Sequence, residues 1–148
     1  MMNTNIQTIL VAYDGSQESQ KALDFAVDFA NERKDVELHL VTVYQPVYTM
    51  AYTYANYPVE QASYELKEKN EAIIQNVKTE ISLKTVHPIV AKAIEGHPGN
   101  VLTHYASLNG IDLIVIGSRG LSGVKELFLG SISHYVVQKA ECPVLVIK

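Results

Sequence analysis

The amino-acid sequence predicts a doubly wound α/β fold, with five parallel strands in the order 3-2-1-4-5 and helices on both faces of the sheet. Short apolar, β-branched runs alternate with segments of helical periodicity along the 148-residue chain. The first and the fourth of these runs end in glycine-containing turns, which is typical of strands that border a switch point. No linker, internal repeat or low-complexity segment interrupts the alternation, so we expect residues 1–148 to form one domain.

The first half of the chain contains two strand patterns and two helical patterns. The predicted elements are a strand at Thr8–Tyr13, a helix from Ser16 to about Glu32, a strand at Leu38–Val43, a loop at Tyr44–Pro58 and a helix from Val59 to about Glu80. Alanines and Phe29 recur on one face of the first helix, and Ser16 is its expected N-cap. Leu66, Ile73 and Val77 form one apolar stripe on the second helix, which predicts that this stripe is buried.

The second half of the chain continues the alternation. The predicted elements are a strand at Thr85–Ala93, a helix at Pro98–Leu108, a strand at Asp112–Ile116, a short loop-helix, a helix beginning near Ser131 and a strand at Pro143–Ile147. On the helix at Pro98–Leu108, the residues expected to be buried are Val101, Leu102, Tyr105 and Leu108. His87 and Pro88 weaken the third strand and suit an edge position, whereas the first, fourth and fifth strands are apolar on both faces and suit the centre.

Composition and charge exclude several classes of function. The chain is 47% hydrophobic and 19% charged, as in globular proteins, and its net charge is −4. Because nucleic-acid affinity needs clustered lysines and arginines, we expect no nucleic-acid partner. The single cysteine, Cys142, excludes an intrachain disulfide. Neither a signal peptide nor an apolar stretch of membrane-spanning length is evident, so we expect a cytoplasmic protein with no membrane partner.

The fourth strand pattern leads into a glycine motif of the form G-x2-G-x9-G-[ST], which comprises Gly117, Gly120, Gly130 and Ser131. Glycines let a backbone approach an anion closely, and the free N–H groups at a helix N-terminus then face the phosphates. The motif is not a P-loop, which needs a lysine after its last glycine, nor the G-x-G-x-x-G dinucleotide fingerprint. In the predicted strand order, the turn Asp14–Ser16 converges on the same crevice, which predicts a nucleotide site there.

At this point the chain resembles the universal stress protein family, and in particular its ATP-binding members. The resemblance covers nearly the whole chain, in the stretches Ile9–Ser16, Leu40–Val43, Gly96–Pro98, Asp112–Gly120, Gly130–Ser133 and Cys142–Val146. It implies a Rossmann-like fold that binds an adenine nucleotide. It also implies ATP with Mg²⁺ or Mn²⁺ as the cofactor, with AMP and ADP as alternatives.

The resemblance assigns roles to individual residues. Asp14 corresponds to the acidic residue that faces the nucleotide, and Val41 to the position whose backbone meets the adenine. Gly117 and Gly120 correspond to the pair beside the ribose and phosphates. The complete predicted site comprises Asp14, Gly15, Ser16, Val41, Ile116, Gly117, Arg119, Gly120, Gly130, Ser131, Ile132 and Ser133, of which Gly130, Ser131 and Ser133 are the expected phosphate contacts. Two structural alternatives stay open: Asp14 forming an Asx turn, and Ser131 capping the last helix.

The glycine motif favours an ATP-binding protein, and the family resemblance implies that it acts as a nucleotide-dependent binding or switch module in a stress response. Slow hydrolysis is the most that we expect, because Glu126 is the nearest acid to the glycine motif and no Glu or His follows it at a useful spacing. One alternative is a nucleotide-free interaction module of the same family. The other is an enzyme that forms adenylates, whose S-G-G-x-D-S loop is missing after the first strand.

Two segments point to partners other than the nucleotide. Six of the nine tyrosines lie between Tyr44 and Tyr64, which is interpreted either as a loop over the end of the sheet or as a lid or partner surface.

The last strand, Val144–Ile147, is apolar throughout although the strand order puts it at an edge. Antiparallel pairing with the same strand of a second copy would cover that edge, so we expect a homodimer, as the family resemblance also implies. The protein partner is not identified by the sequence.

The remaining candidate residues favour structural roles. The spacing of the five histidines does not match that of metal ligands, so we expect no metal site formed by the protein alone. They are His39, His87, His97, His104 and His134. His97 precedes the third helix and is expected to be exposed. Cys142 has no neighbouring base in the sequence, which favours a buried structural thiol over a nucleophile.

Overall fold

The computed structural model describes residues 5–47, 58–120 and 129–148, and within them one parallel five-stranded sheet carries helices on both faces. The strands are β1 (Thr8–Ala12), β2 (Glu37–Tyr44), β3 (Ile89–Glu95), β4 (Leu113–Gly117) and β5 (Val144–Ile147). The helices are α1 (Gln17–Asn31), α2 (Val59–Ser82), α3 (Pro98–Leu108) and α4 (Ser131–Lys139). The strand order is β3-β2-β1-β4-β5, which confirms the predicted fold class and order.

Alternate side chains of the central strands pack into two apolar layers. Ile9 and Val11 belong to the layer that α1 and α2 cover, and Leu10 and Ile114 belong to the layer that α3 and α4 cover. Ile9, Leu10 and Ile114 are 0% exposed. Burying each such side chain contributes about 1.5–3 kcal/mol relative to exposure. The pairing of Ile9 with Leu113 places the turns after β1 and β4 side by side.

Two buried helix positions are predicted wrongly. On α2, Ile73 is 41% exposed and Ile74 is 0% exposed, because Ile74 shares helical spacing with the buried Val77 and Ile81. Neighbouring residues lie about 100° apart around a helix, so Ile73 and Ile74 cannot both face the sheet. On α3, Leu108 is 71% exposed because it is the last residue of the helix, where the chain turns away.

The third strand begins later than predicted. Pro88 precedes β3 rather than interrupting it, and β3 begins at Ile89. Because proline has no N–H, it cannot donate to the sheet, but its carbonyl oxygen still accepts a hydrogen bond from the Leu38 N–H at 2.9 Å. The strand lies at an edge of the sheet, as predicted.

The amino ends of β1 and β4 are held together by one carboxylate. Asp112 Oδ2 accepts hydrogen bonds from the N–H groups of Gln7 and Thr8 and from Thr8 Oγ1, each at 2.9 Å. Burial acts to raise the pKa of Asp112, but these hydrogen bonds outweigh it, and the pKa lies below its ordinary value. This network lies at the amino ends of the strands, whereas the predicted site lies at their carboxyl ends.

A buried histidine links the sheet to α3, a feature that the sequence did not indicate. His39 on β2 is 6% exposed. Its Nδ1 lies 2.7 Å from the hydroxyl of Tyr105, and its Nε2 lies 2.6 Å from Glu37 Oε1. Burial and then the charge of Glu37 raise the pKa of Tyr105. Both ring nitrogens are therefore satisfied, and the network fixes the middle of α3 against β2.

No helix among the described residues is long and apolar enough to cross a membrane.

Candidate functional site

A cavity of about 300 Å³ opens at the carboxyl ends of β1 and β4, where the strand order reverses. Eleven of the predicted site residues line it: Asp14, Ser16, Val41, Ile116, Gly117, Arg119, Gly120, Gly130, Ser131, Ile132 and Ser133. Its volume is at the lower end of the range of small-molecule pockets. The structure therefore brings together two turns that are far apart in the sequence.

Gly15 is the predicted site residue that does not line the cavity. It is exposed and has a φ of +82°, a conformation that side chains rarely adopt. Its role in the structure is therefore conformational, because it turns the chain between the end of β1 and the start of α1.

Asp14 forms the Asx turn that was kept as an alternative. Its Oδ1 accepts a hydrogen bond from the Ser16 N–H at 2.9 Å. Ser16 is the N-cap of α1, as predicted, because its Oγ accepts from the Ser19 N–H at 3.1 Å. The other carboxylate oxygen, Asp14 Oδ2, lies so close to Gly120 that a Cβ added there would be 2.6 Å away.

Gly117 is needed for packing between β4 and α1. A Cβ at this position would lie 2.8 Å from both the carbonyl carbon and the Cβ of Glu18 and 3.0 Å from the Ser19 nitrogen. A side chain would therefore push the first turn of α1 away from the sheet. Although Gly117 lines the cavity, its glycine character is explained by the fold without a ligand.

The N-terminus of α4 presents backbone amides to the cavity. Gly130 is the N-cap and provides no side-chain cap, so Ser131 is the first helical residue and not the cap. The first hydrogen bond within the helix runs from the His134 N–H to the Gly130 carbonyl at 2.9 Å. The amides of Ser131, Ile132 and Ser133 therefore have no acceptor within α4, and all three residues line the cavity.

The hydroxyl of Ser133 is used by the fold. It lies 2.8 Å from the carbonyl oxygen of Ser118 and 3.0 Å from that of Gly130, and the residue is 2% exposed. The Gly130 N–H also donates to the Ser118 carbonyl, at 2.6 Å. These bonds hold the start of α4 against the end of β4. An anion at this site would meet the Ser133 amide, because the single hydroxyl proton is already donated.

The opposite side of the cavity is an apolar wall that the sequence did not reveal. The lining residues that were missed are Ala12, Tyr13, Ser19, Val43, Pro98 and Leu102. Val43 follows Val41 by two positions on β2, so strand periodicity could have indicated it. Pro98 and Leu102 lie four residues apart at the start of α3, on one helical face. The Val41 carbonyl accepts a hydrogen bond from the Tyr13 N–H at 2.9 Å, so the sheet already uses this acceptor.

Three helices begin at the rim of the cavity, and their dipoles favour an anion there. They differ in how many amides they can offer. Ser16 caps α1, and α3 begins with Pro98, which has no N–H. The α4 terminus has a glycine cap, so the capacity to bind an anion is concentrated at α4. Arg119 adds a cation to the lining, and Asp14 adds a carboxylate.

Tyr13 carries a phenol at the rim of the cavity. Its pKa is raised first by burial and then by the charges of Glu80, Asp14 and Asp24, so it stays neutral at neutral pH. Its hydroxyl reaches Gln20 Oε1 at 3.5 Å, at the limit of a hydrogen bond. No group of three or more histidine, cysteine, aspartate or glutamate side chains that could hold a metal ion is found in the described part of the chain.

Several other predictions fall away from the cavity. The short loop-helix, Glu126, and the tyrosines at 48, 52, 54 and 57 lie outside the described residues. At the ends of the tyrosine-rich segment, Tyr44 is buried and Tyr64 is 63% exposed. Cys142 is half-buried, less than predicted, and burial raises the pKa of its thiol, as for an unreactive cysteine.

Comparison with known proteins gives a consistent result. The family model described as "Universal stress protein family" matches residues 5–148. The universal stress protein YxiE of Bacillus subtilis (strain 168) is 38% identical over 146 residues, which cover 95% of this chain and 97% of that protein.

Solved structures of similar proteins share the fold. The universal stress protein UspA from Lactobacillus plantarum superposes with a TM-score of 0.83 at 24% identity, over 99% of this chain and 100% of that chain. A universal stress protein solved in complex with cAMP superposes with a TM-score of 0.67 at 25% identity, over 96% of each chain.

Proposed function

The chain belongs to the universal stress protein family, and on that premise we propose that it binds ATP in the cavity between β1 and β4. The observation that carries the proposal is the start of α4, where a glycine cap leaves the amides of Ser131, Ile132 and Ser133 available at the cavity. Backbone amides at a helix N-terminus are a ready-made binding site for phosphate.

The apolar wall supports an adenine base at the other side of the cavity. Val41, Val43, Pro98 and Leu102 supply aliphatic surface opposite the glycine turn. A flat, weakly polar base suits such a wall, whereas the phosphates suit the α4 terminus. The solved relative in complex with cAMP adds a precedent in the family for an adenine nucleotide. The base and the phosphates of one nucleotide would thus bind at opposite sides of this cavity.

A divalent cation, Mg²⁺ or Mn²⁺, fits the site as a companion of the phosphates. It would neutralise phosphate charge, and these ions bind through few protein carboxylates, with phosphate oxygens and water completing the coordination. Asp14 supplies a carboxylate in the cavity lining. We assign Asp14 as the residue that faces the cation or the ribose.

The function that follows is that of a nucleotide-dependent binding or switch module, with slow ATP hydrolysis at most. A hydrolase needs a base placed to activate water. The cavity lining contains one carboxylate, Asp14, and no histidine within the described residues. A cytoplasmic stress-response role and a protein partner remain part of the proposal.

The test of nucleotide binding begins with freshly purified protein, which is denatured so that any released nucleotide can be identified by mass spectrometry. Stoichiometric ATP is the expected result, and ADP or AMP would indicate either turnover of ATP or direct capture of the smaller nucleotide. Protein that releases no nucleotide, and that binds neither ATP with Mg²⁺ nor AMP in calorimetry, would contradict the proposal and favour the nucleotide-free interaction module.

We also propose that β5 pairs with the β5 of a second copy to form a homodimer. It lies at an edge of the sheet, and all four residues, Val144–Ile147, are apolar and half-buried. An exposed apolar edge promotes uncontrolled association unless another strand covers it. A two-fold antiparallel pairing would extend the sheet across both copies and cover this edge.

A further inference from the structure

We infer that Tyr135 on α4 is a positioning residue that sets the separation between the two sides of the nucleotide cavity. The inference rests on the proposed function, because it concerns how one nucleotide is held at both sides. Tyr135 itself does not line the cavity. It lies on the helix whose first turn faces the phosphates, and it packs on the first turn of α3, whose Pro98 and Leu102 form the apolar wall.

Tyr135 contacts residues on both sides of Pro98 in the sequence. Its hydroxyl donates a hydrogen bond to Asn100 Oδ1. Its ring packs edge-to-face against the ring of His97, with centroids 6.2 Å apart. His97 and Asn100 lie on either side of Pro98, so one side chain on α4 holds the first turn of α3 at two points.

Gly99 shows how close this packing is. A Cβ at Gly99 would lie 2.6 Å from Cδ1 and 2.9 Å from Cγ of Tyr135. These atoms are near the root of the side chain, so the ring cannot avoid a methyl group by a small rotation at its tip. The absence of a side chain at Gly99 therefore lets α3 and α4 approach each other. The family motifs in the sequence did not assign a role to Tyr135 or to Asn100.

The position of this contact gives it a consequence for binding. The amides of α4 bind the phosphate side of the ligand, and the wall of α3 binds the base side. A nucleotide can span only a limited range of base-to-phosphate distances, so the separation of the helices affects how well both sides bind it at once. A small displacement of one side of a preorganised site weakens binding even where no direct contact is lost.

The experiment measures AMP affinity by calorimetry and thermal stability by melting, for the full-length wild-type protein, Tyr135→Phe, Asn100→Ala and the double variant. Tyr135→Phe keeps the ring and removes only the hydrogen bond. Val137→Ala is the matched control, because Val137 lies on the same helix and is 45% exposed. Gly99→Ala is a further variant that leaves Tyr135 unchanged.

Tyr135→Phe and Asn100→Ala should each weaken AMP binding about three- to tenfold, measured well below the melting temperature, with no further loss in the double variant. Val137→Ala should bind as the wild type does. Gly99→Ala should bind AMP more weakly and melt at a lower temperature, although alanine is favoured over glycine within a helix where there is space.

Two results would overturn the inference. If Tyr135→Phe lowers the melting temperature but keeps the wild-type affinity for AMP, the contact is only structural. If Gly99→Ala raises the melting temperature and keeps the affinity, the helices are not held at a fixed separation. Failure of the proposed function looks different, because the wild-type protein itself would then bind neither AMP nor ATP.

Discussion

Replacing Gly120 by valine perturbs the site where a glycine of the motif meets the carboxylate of Asp14. A Cβ on Gly120 would lie 2.6 Å from Asp14 Oδ2, well inside the 3.4–4 Å of ordinary van der Waals contact. The nearest obstacle is the end of a side chain, so Asp14 rotates and the strand does not move. That rotation removes the hydrogen bond from the Ser16 N–H to Asp14 Oδ1, and the new side chain projects towards the cavity.

The magnitudes of the two effects differ. Losing one partly exposed hydrogen bond costs about 1 kcal/mol of folding free energy. For a chain of this size, that lowers the melting temperature by about 2–4 °C, so the protein stays folded. A ligand that loses a hydrogen bond to a charged carboxylate loses about 1.5–3 kcal/mol, which is roughly a 10- to 150-fold weaker Kd. Steric exclusion of phosphate by the valine adds to this loss.

The assay is titration of ATP with Mg²⁺ by calorimetry, with circular dichroism to confirm that the variant is folded. Gly110→Asn is the matched control: Gly110 also has a positive φ, +58°, no atom lies within 4 Å of its added Cβ, and asparagine tolerates this conformation. The control should bind ATP as the wild type does. A folded Gly120→Val protein with an unchanged Kd for ATP would refute the assignment of this cavity as the nucleotide site.

Three further predictions concern stability and assembly. Because hydrogen bonds lower the folded pKa of Asp112, its stabilising contribution is complete above the ordinary value of 3.8 and is lost as the pH falls towards the lowered value. Asp112→Asn should therefore flatten the fall in melting temperature between about pH 5 and pH 3, and an unchanged slope would contradict this reasoning. Tyr105→Phe leaves Nδ1 of the buried His39 without a partner and should cost about 1–3 kcal/mol in urea unfolding; a cost near zero would show that the bond contributes nothing net. Val146 is half-buried against the core, so Val146→Lys is first checked for folding by circular dichroism. In the folded variant the charge on the edge strand should convert a dimer to a monomer in light scattering, whereas a wild-type monomer would exclude the proposed pairing.

The sequence predicted the fold because several local signals agree. The apolar runs at β1 and β4 suit central strands, and the sequence predicted correctly that β3 lies at an edge. The errors occurred where the exact rotation of a helix decides burial. Ile73 and Ile74 are both apolar, and only the packing of α2 on the sheet determines which of them is buried. Long-range polar contacts such as His39 with Tyr105 were also missed, because no local pattern connects the two residues.

For the candidate site, the sequence indicated the turns after β1 and β4 but not the aliphatic residues that line the cavity. Motif glycines such as Gly120 are fixed in spacing and identify the carboxyl ends of β1 and β4. Val43, Pro98 and Leu102 carry no such signal, because an aliphatic residue that lines a cavity looks like one that fills a core. The sequence also could not show how the Ser133 hydroxyl is used, because its hydrogen bond to the Ser118 carbonyl oxygen is visible only in the structure.

In the glycine motif, the absence of a side chain has a different reason at each of Gly117, Gly120 and Gly130. The hydroxyls of Ser16 and Ser133 serve the fold, so an anion in the cavity would meet the α4 amides together with Ser131 and Arg119. Gly117 leaves room for α1. A Cβ added at Gly130 would lie 3.3 Å from the carbonyl oxygen of Ser118. Gly117 would therefore be needed even by a protein that bound nothing, whereas a side chain at Gly130 would require the Ser118 carbonyl to shift by a few tenths of an ångström. A side chain at Gly120 would instead meet the Asp14 carboxylate in the cavity. A substitution at Gly120 is therefore expected to weaken binding much more than folding.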